Sequence, residues 1–313
     1  MTELTNGDGL TFGDRLAAAV ARTGPICAGI DPSASLLAAW GLPDDAGGLR
    51  AFAGTCVESF AGVVPVVKPQ VAFFERHGAA GLAVLEQLIA EARSAGLLVI
   101  ADAKRGDVDS TVAAYADAWL GTTSPLAADA VTAVAYLGFG ALEPLFAAAR
   151  VNGRGVFVVV RSSNPEGRPL QEALLQAPMV GGAGAGAGAG ADDDGGGTSP
   201  QSVEDGLLDA IANLNRAELA GRPGSTVGSV GAVVGATLSP SGFSLDRLGG
   251  PVLAPGVGAQ GGTPEKVAAL FGGCPAGTVV PNTSRSVLAA GPSVGALRAA
   301  AEAARDQLAA ALA

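Results

Sequence analysis

Val99-Ile-Ala-Asp-Ala-Lys-Arg-Gly-Asp-Val-Asp109 joins an apolar run to three charges, Asp102, Lys104 and Asp107. The run from Gly96 to Ala101 reads as a buried strand. Side chains on a strand alternate faces, so Asp102 and Lys104, two residues apart, are expected to point the same way. An acid and a base are thereby aimed together from the end of a core strand. Asp107 falls where that strand gives way to a loop and then a helix. Charges are costly to bury unless paired, so the cluster is either a structural ion pair or a working site.

Similar apolar, β-branched segments recur on both sides of this one. They are Pro25–Asp31, Val63–Lys68, Leu97–Asp102, Ala130–Val134, Gly155–Val160, Val230–Ala236, Val252–Pro255 and Thr278–Pro281. Between them lie amphipathic or Ala-rich runs such as Gly81–Ala95, Thr111–Leu120, Ala141–Ala149, Val203–Leu219, Pro264–Leu270 and Val294–Leu312. Strands alternating with helices at about 30-residue spacing predict an α/β fold, a (β/α)8 TIM barrel, rather than an open sheet. A doubly wound sheet would want a Gly-rich phosphate turn after its first strand, and Gly29-Ile-Asp-Pro-Ser33 is not one. Residues 1–313 are therefore expected to form a single barrel domain, with a flexible N-terminal tail over 1–10. One interval is too long. Between the fifth and sixth strands runs Gly181-Gly-Ala-Gly-Ala-Gly-Ala-Gly-Ala-Gly-Ala191, followed by Asp192-Asp-Asp-Gly-Gly-Gly197. This tract offers almost no side chains to bury and carries maximal backbone entropy, so a disordered low-complexity insertion is expected over about 178–200.

Composition narrows the function classes. Hydrophobic residues make up 49% of the chain, ample for a core, while aromatics are only 4%. No apolar stretch reaches the ~18 residues of a membrane span, and Met1-Thr-Glu-Leu-Thr-Asn-Gly-Asp8 lacks the features of a secretory signal. A cytoplasmic protein is expected. A net charge of −10 argues against nucleic acid or an anionic membrane as partner. An anionic small substrate would need positive charge gathered locally. Cys27, Cys56 and Cys274 form no CxxC pair and read as reduced, packed thiols. The single histidine, His77, excludes a multi-His metal site and reads as a surface residue near a helix start.

In such a barrel the chemistry gathers at the C-terminal ends of the strands. Strand 1 ends in Asp31, strand 2 in Lys68, strand 3 in Asp102 and Lys104, and strand 5 in Arg161-Ser-Ser-Asn164. Strand 7 runs into Pro255-Gly-Val-Gly-Ala-Gln-Gly-Gly262 and strand 8 into Asn282-Thr-Ser-Arg285. Together they describe a polar ring of both charge signs at one end of an apolar barrel. Gly256, Gly258, Gly261 and Gly262 would let backbone N–H groups approach an anion, and Arg285 adds a planar fork of donors. A phosphate is expected there, as barrels often bind one after strands 7 and 8.

These stretches carry a family resemblance. Asp102-x-Lys104-x-x-Asp107, followed by Thr111, resembles the DxKxxDxxxT signature of the orotidine 5′-phosphate decarboxylases. Gly29–Pro32, Val67–Gln70 with Phe73–Glu75, Tyr136–Gly138, Ser162–Gly167, Pro255–Gln260 and Ser284–Arg285 agree in kind and order, closest to the longer bacterial type 2 branch. The resemblance spans roughly Pro25 to Ala290 without the Gly/Ala insertion. It implies cofactor-free, metal-free decarboxylation of orotidine 5′-monophosphate to UMP. Lys104 would protonate C6, and Asp102 would lie beside the substrate carboxylate and hold Lys104. Asp31 and Lys68 would bind ribose hydroxyls, Lys68 also joining the charged network. Ser163 would contact the pyrimidine, while Gln260 and Arg285 would hold the phosphate. Asp107 and Thr111 would reach into the partner's site, making the active unit a homodimer.

The chemistry is consistent with those roles. Loss of carbon dioxide from C6 leaves electron density in an sp² orbital that the ring delocalises poorly, and a fixed ammonium beside that carbon stabilises it and then supplies the proton. Two positions depart from the family pattern: Ala135 stands where proline is common before Tyr136, and Asp109 adds a negative charge near the shared site unless Arg105 pairs with it. Two other readings compete. A metal-dependent sugar-phosphate decarboxylase or aldolase of the same barrel group would place a metal-binding acid where Lys68 stands. A non-catalytic phosphate-binding barrel would be expected to have lost an acid or base from the Asp102–Lys104–Asp107 set, and none is missing.

Overall fold

Eight parallel strands close on themselves in sequence order, β1 against β2 through to β8 against β1. They are β1 (Cys27–Ile30), β2 (Val66–Pro69), β3 (Leu98–Arg105), β4 (Ala130–Ala133), β5 (Gly155–Arg161), β6 (Val230–Val234), β7 (Val252–Pro255) and β8 (Val279–Thr283). The computed structural model describes residues 9–177, 179, 201–238 and 245–313. All eight expected strands are present, so the (β/α)8 barrel is the fold. The expectations of a flexible tail over 1–10 and a disordered tract over 178–200 lie, apart from residues 9, 10 and 179, outside the described residues.

Strand alternation sorts the core into two layers. Cys27, Val66, Ile100, Ala130, Phe157, Val233, Leu253 and Val280 point into the barrel, where they meet Phe12, Leu16 and Val20. Those three come from the helix Phe12–Thr23, which lies outside the six helical runs read from the sequence. Thr11 caps it, accepting from the Asp14 N–H at 3.1 Å. Phe12 meets Phe157 edge to face at 5.9 Å, and β5 begins with glycine because a Cβ on Gly155 would lie 2.3 Å from the Phe12 ring. Outward-facing strand residues such as Ala28, Val67, Ala101, Val131 and Val158 pack with the surrounding helices in the second, larger layer.

The end of the barrel that receives this helix is held by charge. Asp129, just before β4, accepts from Arg15 at 3.2 Å and from the Val99 N–H at 3.1 Å. Arg154 and Arg93 stand 3.7 Å from its two oxygens. Burial lowers the Arg154 guanidinium to about 10, with Asp129 acting to keep it charged. Cys27 and Cys56 are buried free thiols, and burial pushes Cys27 up to about 12, as expected of inert packed cysteines. His77 does precede a helix, Gly78–Ser94, but it is half-buried against Asp44 rather than a surface residue.

Candidate active site

At the opposite end of the barrel the strand termini surround a cavity of about 260 Å³. Asp31, Lys68, Asp102, Lys104, Ser163, Gln260 and Arg285 all line it. Its centre is one carboxylate held between two amines. Asp102 Oδ2 accepts from Lys68 Nζ at 2.6 Å, and Asp102 Oδ1 from Lys104 Nζ at 2.6 Å. The two lysines differ in exposure. Lys68 comes from the middle of β2, its side chain 4% exposed, with a longer contact of 3.4 Å to Gln70 Oε1. Lys104 is 48% exposed and opens into the cavity.

Burial opposes ionisation of Asp102, but Lys68 and Lys104 outweigh it and hold the carboxyl well below the usual range. Burial likewise opposes the charge on Lys68, and Asp102 with Asp31 holds it above an ordinary lysine. The lining thus carries three cations, Lys68, Lys104 and Arg285, against the carboxylates Asp31 and Asp102. A chain of net charge −10 has concentrated positive charge in its cavity, which suits an anionic ligand.

Strand 3 continues further than its hydrophobicity implies. It runs to Arg105, so Asp102 and Lys104 are both on β3. Lys104 has φ 48°, the left-handed region, and pairing with β4 shifts register between Ala101 and Arg105. The two side chains therefore meet across a bulge, not by the plain alternation of a regular strand.

Several expected residues fall elsewhere. Asp107 is half-buried and accepts from the Val108 N–H at 2.8 Å, Thr111 is exposed, and neither lines the cavity of its own chain. Arg161 turns away from the polar ring to pair with Glu204 at 2.8 Å and with Glu172. Arg105 pairs with Glu75, not Asp109, and stacks over Tyr115 and Trp119 at 5.6 Å. The loop expected to bind phosphate also differs. The N–H groups of Gly258, Gly261 and Gly262 bond to carbonyls of the same loop at 2.8–3.0 Å, so these amides are already committed. Gln260 and the exposed Arg285, which has no ion-pair partner among the described residues, remain as donors at the rim. Asp31 leaves its buried Oδ1 without a hydrogen-bond partner among the described residues. Thr132, on β4, is in contact with Asp102 and was not singled out from the sequence; its only signal there is one hydroxyl in an apolar strand.

A closed (β/α)8 barrel with an ion-paired lysine in a cationic cavity at the C-terminal strand ends defines the class: a barrel enzyme acting on an anionic small molecule. Residues 24–180 match the family model for the orotidine 5′-phosphate decarboxylase / HUMPS family. An orotidine 5′-phosphate decarboxylase from Salinispora arenicola (strain CNS-205) is 50% identical over 293 residues, 93% of this chain and 95% of that protein. A crystal structure bearing the same enzyme name, from Streptomyces avermitilis, superposes with a TM-score of 0.82 at 47% identity, covering 97% of this chain and 98% of the other. Leishmania donovani UMP synthase superposes at 0.70 with 26% identity, covering 97% of this chain and 57% of that one. The chain belongs to the orotidine 5′-phosphate decarboxylase family.

Proposed function

We propose that this chain decarboxylates orotidine 5′-monophosphate to UMP and carbon dioxide, using its own side chains and no cofactor. The observation that carries the reading is the Lys68–Asp102–Lys104 array, with the more exposed Lys104 facing the cavity. As the C6–carboxylate bond breaks, carbon dioxide leaves and the electron pair stays on C6. Lys104 gives its proton to that carbon and is reprotonated from water. Asp102 aims the ammonium and stands beside the departing carboxylate, while Lys68 holds Asp102 from the other side. A metal-dependent reading has less support, because the Lys68 ammonium stands where a divalent ion would need a carboxylate.

The remaining roles follow from position. Asp31, with an unpartnered oxygen, and Lys68 take the ribose hydroxyls. Ser163 contacts the pyrimidine, and Gln260 with Arg285 takes the phosphate, whose binding energy can assist chemistry some distance away. Asp107 and Thr111 serve a partner's site in a homodimer. Supporting that assembly, Val108, Tyr136 and Leu137 are exposed on the loops after β3 and β4, Tyr136 by 78%. Those loops are joined where the Val134 N–H meets the Arg105 carbonyl at 2.9 Å. The enzyme would act as one barrel per subunit, in the cytoplasm; no helix among the described residues is long and apolar enough to cross a membrane.

The test is direct. Purified protein with EDTA is expected to consume orotidine 5′-monophosphate, seen as falling pyrimidine absorbance, and Lys104→Ala to abolish turnover while remaining folded. Absence of turnover, or turnover that needs added metal, would overturn the assignment.

A further inference from the structure

Thr132 sits opposite the irregular part of β3. Ala101 pairs with Val131 and Arg105 with Ala133, so four steps along β3 are matched by two along β4. The extra length leaves the Lys104 N–H without a backbone partner in the β4 ladder. It is satisfied instead by the Thr132 hydroxyl, at 2.9 Å. The same hydroxyl donates to Asp102 Oδ1 at 2.9 Å, the oxygen that also accepts from Lys104 Nζ at 2.6 Å. A closed ring results: hydroxyl to carboxylate, carboxylate to ammonium, and the backbone of that same lysine back to the hydroxyl.

We infer that Thr132 is a positioning residue for the decarboxylation, acting through Lys104 and Asp102; the inference rests on the function proposed above. Lys104 is one of two non-glycine residues with positive φ among the described residues. A β-carbon is disfavoured there, so the conformation persists only where neighbours hold it. Thr132 is 1% exposed, and its hydroxyl uses its proton on one member of the pair and a lone pair on the other. It therefore sets both ends of Lys104: the backbone at the bulge and, through Asp102, the amine in the cavity. Valine has the same shape but can do neither. Serine can do both.

Steady-state kinetics of Thr132→Val and Thr132→Ser test this. Since misplacing a catalytic group by about 1 Å can cost on the order of 100-fold, Thr132→Val is expected to lower kcat by roughly 10- to 100-fold. KM and the affinity for UMP, which lacks the carboxylate and needs no proton, are expected to stay within about threefold, and Thr132→Ser to recover most of kcat. A Thr132→Val enzyme with unchanged kcat, or loss of kcat and UMP affinity together without rescue by serine, would overturn the inference. If the valine variant does not fold, Thr132→Ala against Thr132→Ser gives the same comparison. A crystal structure of the valine or alanine variant separates this inference from the assignment of the reaction. Lys104 is expected to leave the left-handed region and withdraw from Asp102 whether or not the chain turns over, and an unmoved Lys104 would sink the idea.

Discussion

At the scale of single residues, Asp102 shows how a buried charge becomes useful. Burial alone would favour the neutral acid, and two ammoniums reverse that preference. Removing one partner of such a buried pair typically costs about 3–5 kcal/mol, because the other charge is left without compensation. The pH dependence follows from the direction of the shift. A carboxyl held lower in the folded state than in the unfolded chain contributes stability that is fully present above about pH 4, the unfolded value for aspartate. That contribution is lost as pH falls below it. Folding free energy measured by urea unfolding is therefore expected to drop between about pH 4 and pH 2 with a steeper slope in the wild type than in Asp102→Asn. Equal slopes would show that Asp102 is not held in this way.

Among elements, the junction of β5 with the Gly/Ala-rich tract illustrates how a long insertion is carried. Arg161 leaves the end of β5 and pairs with Glu172 before the tract and Glu204 after it. The chain on the two sides is joined by backbone bonds, Leu175 N–H to the Gln201 carbonyl at 2.8 Å and Val203 N–H to the Ala173 carbonyl at 2.9 Å. Gln171, in the same segment, donates to Ser162 Oγ at 2.9 Å, and Ser162 lines the cavity. With both roots tied to each other and to Arg161, the tract between them is expected to be expendable. Deleting residues 181–197 is expected to move Tm by no more than about 2–4 °C, the shift that ~1 kcal/mol makes in a large domain, and to leave kcat/KM within about twofold. A tenfold fall in kcat/KM would instead give the tract a part in catalysis.

For the whole molecule, the barrel separates stability from chemistry. The Asp129 cluster and the Phe12–Phe157 contact hold the end that receives the first helix, while the charged array occupies the other end. Asp107 and Thr111 do not line the cavity of their own subunit, as the homodimer proposed above requires. Sharing between subunits makes a specific prediction. Mixing inactive Lys104→Ala with inactive Asp107→Ala is expected to restore activity, because each hybrid dimer contains one site lacking both substitutions. No recovery after mass spectrometry has confirmed subunit exchange would exclude a shared site.

The sequence by itself determined the eight strands, their order and the polar residues at their ends. Each strand is a local apolar run whose burial follows from its own composition, and the Asp-x-Lys spacing is likewise local. Tertiary structure alone decided which of those polar groups meet. The sequence places the Arg161 charge at the ring and offers Asp109 as a partner for Arg105, but Glu204 with Glu172 and Glu75 draw these two side chains elsewhere. The Gly258, Gly261 and Gly262 amides of the strand-7 loop are committed to its own carbonyls, which depends on how the loop closes. Thr132 is one hydroxyl in an apolar strand until the β3 bulge brings a backbone N–H and a carboxylate to it. Burial is encoded along the chain by hydrophobicity, whereas a hydrogen bond forms only where the closed barrel brings its two ends within about 3 Å.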